Sequence, residues 1–181
     1  MNENPVIDRL SVLYQDRGSA LYLGEPVTIA QHMLQTAALA EREEAPAPLV
    51  AAALLHDIGH LVDNKAAESD WDRVHDRIGA AFLAHWFPPE VVEPIRLHVQ
   101  AKRYLCAAEP DYFGRLSAAS VHTLGLQGGP MTTDELARFE AEPGFEAALR
   151  VRRWDEGGKD VDCAVPGFDH YRPLLAGLLQ S

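Results

Sequence analysis

The stretch VAAALLHDIGHL, residues 50–61, is nearly all apolar but carries His56, Asp57 and His60. If the stretch is helical, His56 and His60 lie four residues apart on one face. Two imidazoles and a carboxylate are costly to bury in an apolar helix unless they have partners. A divalent cation would satisfy them, because imidazole and carboxylate are both metal ligands. Backbone hydrogen bonds and an arginine partner for Asp57 would satisfy them too, so this stretch alone leaves both interpretations open.

Four further residues stand in similar helical settings, namely His32, His75, His98 and Asp155. Each of them alone is more typical of a core or surface residue. Together with His56 and Asp57 they supply four imidazoles and two carboxylates, which exceeds what one metal that also binds water and substrate requires. The set therefore favours two metals with Asp57 as the bridging carboxylate. The remaining histidines, which we interpret as structural or exposed, are His85, His122 and His170.

Helices must position these side chains, because apolar residues recur at intervals of three and four rather than two. Thr28 is a candidate N-cap, prolines at 46, 48, 88 and 89 precede or open helices, and Thr132 or Thr133 can cap another. We predict an all-α bundle of about seven helices forming one domain over residues 1–181. The predicted helical segments are 29–43, 49–61, 90–105, 112–126, 134–142, 144–156 and 168–180.

Charge and composition narrow the possible partners. The net charge is −11, from 27 acidic and 16 basic residues, and such a surface repels nucleic acid and anionic membranes. No apolar run reaches the roughly 20 residues that a membrane span needs, and the first ten residues lack a signal-peptide core. Two cysteines without a CxxC pattern indicate a reducing compartment, so we predict a cytoplasmic protein. Nothing in the sequence indicates the oligomeric state.

The order of the candidate ligands carries a family resemblance. His32, the His56–Asp57 pair and Asp155 resemble the HD-domain superfamily, and His75 with His98 resembles its two-metal branch. Further segments resemble the mixed-valence diiron oxygenases of phosphonate catabolism over nearly the whole chain. These segments are YLGEPVT at 22–28, HVQAKRYL at 98–105, LSAAS at 116–120, LQGGPM at 126–131, RRWDEGGK at 152–159 and VPGFDHYR at 165–172.

The resemblance implies an enzyme with an Fe(II)/Fe(III) pair that uses O2 to cleave a carbon–phosphorus bond. It implies a small phosphonate as substrate, of the 1-hydroxy-2-aminoethylphosphonate type or its N-trimethylated analogue. The products would be phosphate and a carboxylic acid such as glycine or glycine betaine. Iron enters only through the resemblance, because the same ligands suit manganese, cobalt, nickel or zinc. One iron would take His32, His56, Asp57 and Asp155, and the other would take Asp57, His75 and His98.

A phosphonate also needs cations and hydrogen-bond donors near the metals. Lys102 follows His98 by one helical turn, and Arg152 precedes Asp155 by three residues. These side chains could form a local anion site inside an acidic protein, although ordinary solvated helix charges have the same spacing. The remaining candidates for this site are Ser120 and Thr123, three residues apart, and His60, which is not on the ligand list.

The YLGE segment carries two further candidates, Tyr22 and Glu25, and Gly24 gives the backbone between them conformational freedom. By resemblance, Tyr22 occupies a position on the second iron until substrate displaces it, and Glu25 faces the substrate amine. From the residues alone, a tyrosine at the edge of the core and a surface glutamate are equally compatible with this segment.

Two other functions share the HD core. One is a metal-dependent phosphohydrolase that acts on a phosphate ester. The other is a non-catalytic HD domain that binds a ligand and signals to a partner. The wider series of segments argues against the first, and the intact ligand set argues against the second.

Overall fold

The computed structural model describes residues 4–22, 24–62 and 74–180. Within these ranges the regular elements are helices, ten α-helices where about seven were expected, and the single β interaction is an isolated bridge between Leu21 and Thr28. This confirms the predicted all-α class. A short 3₁₀ turn spans Phe113–Arg115. The α-helices are α1 Pro5–Arg17, α2 Ile29–Arg42, α3 Ala47–Leu55, α4 Gly59–Val62, α5 His75–Leu83, α6 Pro89–Ala108, α7 Ala118–Leu126, α8 Thr133–Glu140, α9 Phe145–Gly157 and α10 Phe168–Leu178.

The helix starts follow the local chemistry. Thr28 and Thr132 each close a capping box, in which the hydroxyl accepts from the backbone of the third helical residue, Gln31 or Glu135, and that residue's side chain accepts in return. Pro46 precedes α3, and prolines 88 and 89 open α6, as the sequence predicts. One prediction is wrong in detail, since the helix expected from residue 112 begins at Ala118. Ser117 supplies its N-cap.

Helix α3 is the centre of the bundle. All residues from Leu49 to Leu55 are buried, and α3 packs against α2, α6, α9 and α10. An all-apolar helix is stable only when it is surrounded, so its position dictates that the other helices form a shell around it. The C-terminal end of α3 therefore delivers the HDIGH residues into the interior.

The chain does not continue as one helix through residues 50–61, contrary to the expectation. Helix α3 ends at Leu55, a tight turn carries His56 to Ile58, and α4 begins at Gly59. The amides of Ile58 and His60 donate to carbonyls only three residues back, as in a 3₁₀ turn. Gly59 allows this turn to lie against α5, because a Cβ at Gly59 would sit 2.1 Å from the His75 carbonyl oxygen.

This turn changes the relation between the first histidines. Their spacing suggested that His56 and His60 share one face of a single helix, but the turn between α3 and α4 separates them. Instead the turn and the close approach of α5 place His56, Asp57 and His75 in one buried region.

The described ranges contain no helix that is long and apolar enough to cross a membrane. The cytoplasmic location stays a prediction.

We predict that Gly59→Ala destabilises the protein by about 1 to 3 kcal/mol or more, the usual cost of overpacking, because the α4–α5 contact must open. Urea unfolding measures this change. Gly125→Ala is the matched control, since a Cβ there meets no described atom within 4 Å and alanine is the better helix former. Equal stability of Gly59→Ala and the wild-type protein would contradict the proposed close packing.

Candidate metal centre

Two clusters of buried ligand-type side chains share Asp57. The first contains His32, His56 and Asp57, and the second contains Asp57, His75 and His98. In each cluster the potential ligand atoms all lie within 4.8 Å of one another. The side chains come from α2, the turn after α3, α5 and α6, so residues distant in sequence converge as the spacing suggested.

The two oxygens of Asp57 face different clusters. Oδ1 lies 3.3 Å from His75 Nε2 and 3.3 Å from His98 Nε2. Oδ2 lies 3.4 Å from His56 Nε2 and 3.7 Å from His32 Nε2. A carboxylate in this position can bridge two cations, with one oxygen for each.

Asp155, near the end of α9, adds a second carboxylate to the first cluster. Its Oδ1 lies 3.3 Å from His32 Nε2, and its Oδ2 lies 4.0 Å from His56 Nε2. Arg152 donates to Oδ2, which leaves Oδ1 directed at the histidines. The first cluster therefore offers two imidazoles and two carboxylates, and the second offers two imidazoles and one carboxylate.

Backbone carbonyls fix the orientation of three of these imidazoles. His32 Nδ1 is 2.9 Å from the Gly158 carbonyl oxygen, His56 Nδ1 is 2.9 Å from that of Ala53, and His98 Nδ1 is 2.7 Å from that of Ile95. A carbonyl oxygen only accepts, so each Nδ1 carries the proton and each Nε2 presents a lone pair in the neutral ring.

The Nε2 atoms of each pair lie close together. His32 Nε2 is 3.1 Å from His56 Nε2, and His75 Nε2 is 2.9 Å from His98 Nε2. Asp57 Oδ2 and Asp155 Oδ1 are buried and have no hydrogen-bond partner among the described residues. Buried acceptors that face each other repel unless a cation lies between them. The donor set therefore fits a pair of divalent metal ions.

The pKa shifts of the site also indicate that its carboxylates require nearby positive charge. Burial lowers the pKa of His56, but the carboxylates of Asp57 and Asp155 outweigh burial and raise it to about 9. Burial alone would raise the pKa of Asp57 and of Asp155, yet their cationic neighbours hold both well below the usual range. Without metal, a proton on His56 supplies part of the charge that the carboxylates require.

A narrow cavity of about 20 Å³ opens beside the second cluster. Lys102 is buried there and donates to Thr123 Oγ1 at 2.8 Å. Ser120 lines the same wall, one turn earlier on α7. The structure thus brings together the ammonium group and two hydroxyls that the sequence singled out as an anion site.

Arg152 also lines this cavity, but its guanidinium already donates hydrogen bonds to neighbouring side chains. It donates to Asp155, Glu156 and the Tyr112 hydroxyl. Burial acts to lower its pKa, and Asp155 outweighs this effect, so the pKa of Arg152 is raised and the guanidinium stays charged. Through its hydrogen bond to Asp155 Oδ2, Arg152 orients a candidate metal ligand.

His60 and Tyr22 flank the two clusters. The His60 ring stacks on His75 at a centroid distance of 4.2 Å, and its buried Nε2 has no hydrogen-bond partner in the described part of the chain. Burial, reinforced by His75, lowers the pKa of His60 to about 3, so the ring is neutral at neutral pH. Tyr22 lines the cavity and stacks on His32 at 4.2 Å. Burial raises the pKa of Tyr22, and Asp57 acts in the same direction.

Glu25 also lines the cavity. Ser117 Oγ donates to its Oε1, and Lys159 Nζ lies 3.5 Å from the same oxygen. The three other histidines, His85, His122 and His170, are exposed, in agreement with their interpretation from the sequence.

Several residues around the site were missed by the sequence analysis. Glu156 is four residues after Arg152, so the i to i+4 rule could have found that ion pair. Lys159 and Gly158 follow the end of α9, where no periodicity applies. A Cβ at Gly158 would lie 2.6 Å from Thr36 Oγ1 and 3.2 Å from His32 Nδ1, so this glycine permits the carbonyl contact that orients His32.

Comparison with known proteins gives a consistent picture. The family model described as HD domain matches residues 29–136. The chain is 43% identical over 184 aligned residues to [1-hydroxy-2-(trimethylamino)ethyl]phosphonate dioxygenase (glycine-betaine-forming) of Leisingera caerulea, covering 100% of this chain and 94% of the relative. It is 42% identical to hydroxymethylphosphonate dioxygenase of Gimesia maris, covering 96% of this chain and 88% of that relative. An uncharacterised protein of Acanthamoeba polyphaga mimivirus is 35% identical, with coverage of 99% and 83%.

We predict that the wild-type protein binds two metal ions per chain and that His98→Ala binds one, because only the second cluster loses a ligand. Elemental analysis of protein loaded with ferrous iron and then desalted gives the stoichiometry. His122→Ala removes an exposed histidine and should retain two ions. Two ions in His98→Ala would contradict the assignment of His98.

We also predict that metal binding stabilises the fold, because it relieves the repulsion among buried acceptors. A ligand at 100 times its Kd contributes about 2.7 kcal/mol, which raises Tm by roughly 5 to 10 °C in a domain of this size. Thermal unfolding of chelator-treated protein, with and without added ferrous iron, tests this. A Tm that does not respond to metal would show that the clusters are satisfied without a cation.

Proposed function

We propose that this chain, which belongs to the HD-domain family, cleaves the carbon–phosphorus bond of a 1-hydroxyphosphonate with O2. Relatives that match nearly its whole length include phosphonate dioxygenases. The single observation that carries the proposal is the carboxylate of Asp57 shared between two buried histidine pairs, beside a cavity that Lys102, Ser120 and Thr123 line. The products are inorganic phosphate and a carboxylic acid. For substrates with an amino or trimethylamino group on the second carbon, the acid is glycine or glycine betaine.

The reaction balances with one O2 per substrate. The C–P bond and one C–H bond at the first carbon are replaced by bonds to oxygen, and phosphorus leaves as phosphate. The carbon loses four electrons, which O2 accepts, so no further reductant is consumed in a turnover. A hydrolase, by contrast, would need only water and a phosphate ester.

Iron is the metal we propose, as an Fe(II)/Fe(III) pair. His32, His56, Asp57 and Asp155 would hold one ion, and Asp57 with the second histidine pair, His75 and His98, would hold the other. When bound, the pair supplies O2 activation and redox chemistry. The protein supplies the ligands, the exclusion of bulk water and the orientation of the substrate.

The phosphonate group occupies the wall formed by Lys102, Ser120 and Thr123. The buried ammonium of Lys102 provides a charge-assisted hydrogen bond, and the two hydroxyls fix the orientation. His60 is not among the residues that line the cavity, but its buried Nε2 has no hydrogen-bond partner in the described part of the chain, and we propose that it donates to a phosphonate oxygen. Arg152 contributes positive charge while it orients Asp155. These proposed contacts would allow an acidic protein with a net charge of −11 to bind an anion.

Tyr22 and Glu25 form the remaining wall. Tyr22 covers His32 and keeps the site closed until substrate displaces it. Its raised pKa keeps the phenol protonated in the metal-free protein. Glu25 faces the second carbon of the substrate and attracts a cationic substituent there.

We expect the iron-loaded protein to release phosphate from hydroxymethylphosphonate, 1-hydroxy-2-aminoethylphosphonate or the trimethylated analogue only when O2 is present. A colorimetric phosphate assay in aerobic and anaerobic buffer measures this, with 4-nitrophenyl phosphate as the ester control. Release from the ester without O2, and none from the phosphonates, would support the phosphohydrolase alternative instead.

We expect Lys102→Met to raise KM about 10- to 100-fold with a smaller effect on kcat, because a hydrogen bond to a charged group contributes roughly 1.5 to 3 kcal/mol. Steady-state phosphate release gives both constants. Arg138→Met is the matched control. It removes one positive charge from the exposed face of α8, outside the cavity, and should leave KM unchanged. A KM of Lys102→Met equal to that of the wild-type protein would remove Lys102 from the anion wall.

A further inference from the structure

Lys159 stands behind the cavity wall and contacts the residues that face the substrate. Its Nζ lies 2.9 Å from Ser120 Oγ, 3.2 Å from Glu156 Oε1 and 3.5 Å from Glu25 Oε1. Its side chain is 11% exposed, so bulk water screens these contacts only partly. Glu25 and Ser120 line the cavity, whereas Lys159 is not among the residues that do.

The lysine completes a chain of alternating charges that begins at the metal centre. Asp155 pairs with Arg152, Arg152 also pairs with Glu156, Glu156 pairs with Lys159, and Lys159 pairs with Glu25. In this chain, Glu156 is shared between two cations. Lys159 is the cation nearest to Glu25 among the described contacts of that carboxylate.

Glu25 does not depend on Lys159 for its orientation. Ser117, the N-cap of α7, donates its hydroxyl to Glu25 Oε1. Both described contacts of the Glu25 side chain use Oε1. Loss of the lysine would therefore remove a positive charge while the serine contact holds the carboxylate in place.

We propose that Lys159 is a specificity-determining residue. It partly neutralises Glu25 and so weakens the preference of the site for substrates that carry an ammonium or trimethylammonium group. The inference rests on the proposed function of the same cavity. Two opposite charges a few ångströms apart largely cancel at a third charge farther away. A substrate ammonium or trimethylammonium group is then attracted by only the residual charge of the Glu25–Lys159 pair. Hydroxymethylphosphonate has no cationic group, and its phosphonate anion is common to all three substrates, so the ratio between substrates isolates the effect of the pair on the cationic group.

The test is the ratio of kcat/KM for 1-hydroxy-2-aminoethylphosphonate to that for hydroxymethylphosphonate. We expect Lys159→Met and Lys159→Gln to raise this ratio about tenfold, mainly through a lower KM for the cationic substrate. Lys159→Arg keeps the charge and should restore the wild-type ratio. The trimethylated substrate should respond in the same direction, because its charge is permanent and needs no hydrogen bond. A ratio that rises less than threefold in both neutral variants, or that falls, overturns the inference.

Two controls separate a charge effect at Glu25 from other causes. Arg153→Met removes one positive charge from α9 at an exposed pair with Glu109, and it should leave the ratio unchanged. In a Glu25→Gln background, Lys159→Met should change the ratio by no more than twofold, because the carboxylate that it neutralises is gone. An undiminished effect in that background would contradict the role of Glu25.

Failure of this inference is distinguishable from failure of the proposed function. If the wild-type protein releases no phosphate from any of the three phosphonates with O2, the proposed function is wrong. If the wild-type protein turns over but the neutral Lys159 variants keep its substrate ratio, only the role of Lys159 is wrong. Metal content and Tm, measured for every variant, confirm that each comparison is made between folded and metal-loaded proteins.

Discussion

The structure depends on one buried carboxylate placed between two pairs of imidazoles. Asp57 is 1% exposed, and its two oxygens face different histidine pairs. Without cations this arrangement costs free energy, because lone pairs and negative charge converge in a region from which water is excluded. With two cations the same arrangement provides both a bridge and a stable core. Under the proposed function, the ions that stabilise the fold would also carry out the chemistry.

The helices serve this arrangement through a few close contacts. The apolar helix α3 forces its C-terminal end, and with it Asp57, into the interior. Gly59 lets the following turn meet the backbone of α5, which brings His75 to the opposite side of Asp57. Gly158 likewise lets the segment after α9 reach His32. At both positions a side chain as small as a methyl group would separate ligands that must lie within a few ångströms.

The sequence predicted most helices because their boundaries are encoded locally. Capping residues such as Thr28 and Thr132 and the prolines before α3 and α6 act within a turn of the residues they affect. The break after Leu55 could not be read in this way. The apolar pattern runs through it unchanged, and its cause is the contact between Gly59 and a helix later in the chain. Tertiary packing overrides local pattern at that point.

The sequence allowed the candidate metal ligands to be predicted, but not the chain of ion pairs beside them. Residue types, spacing and family resemblance singled out His32, His56, Asp57, His75, His98 and Asp155, and these side chains lie together. The ionic chain through Glu156 and Lys159 was not predicted as a whole, because Lys159 lies beyond a helix end and meets Glu25 from a distant segment. It runs from Asp155, beside the first histidine pair, to Glu25, which lines the cavity. Side chains that tune a site by charge leave no periodic signal in the sequence.

The central claim is that two metal ions share Asp57, and anomalous X-ray diffraction from iron-loaded crystals tests it most directly. The account predicts two anomalous peaks per chain on either side of the Asp57 carboxylate. One should be coordinated by His32, His56 and Asp155, and the other by His75 and His98. A single peak, or two peaks of which only one contacts Asp57, would contradict it.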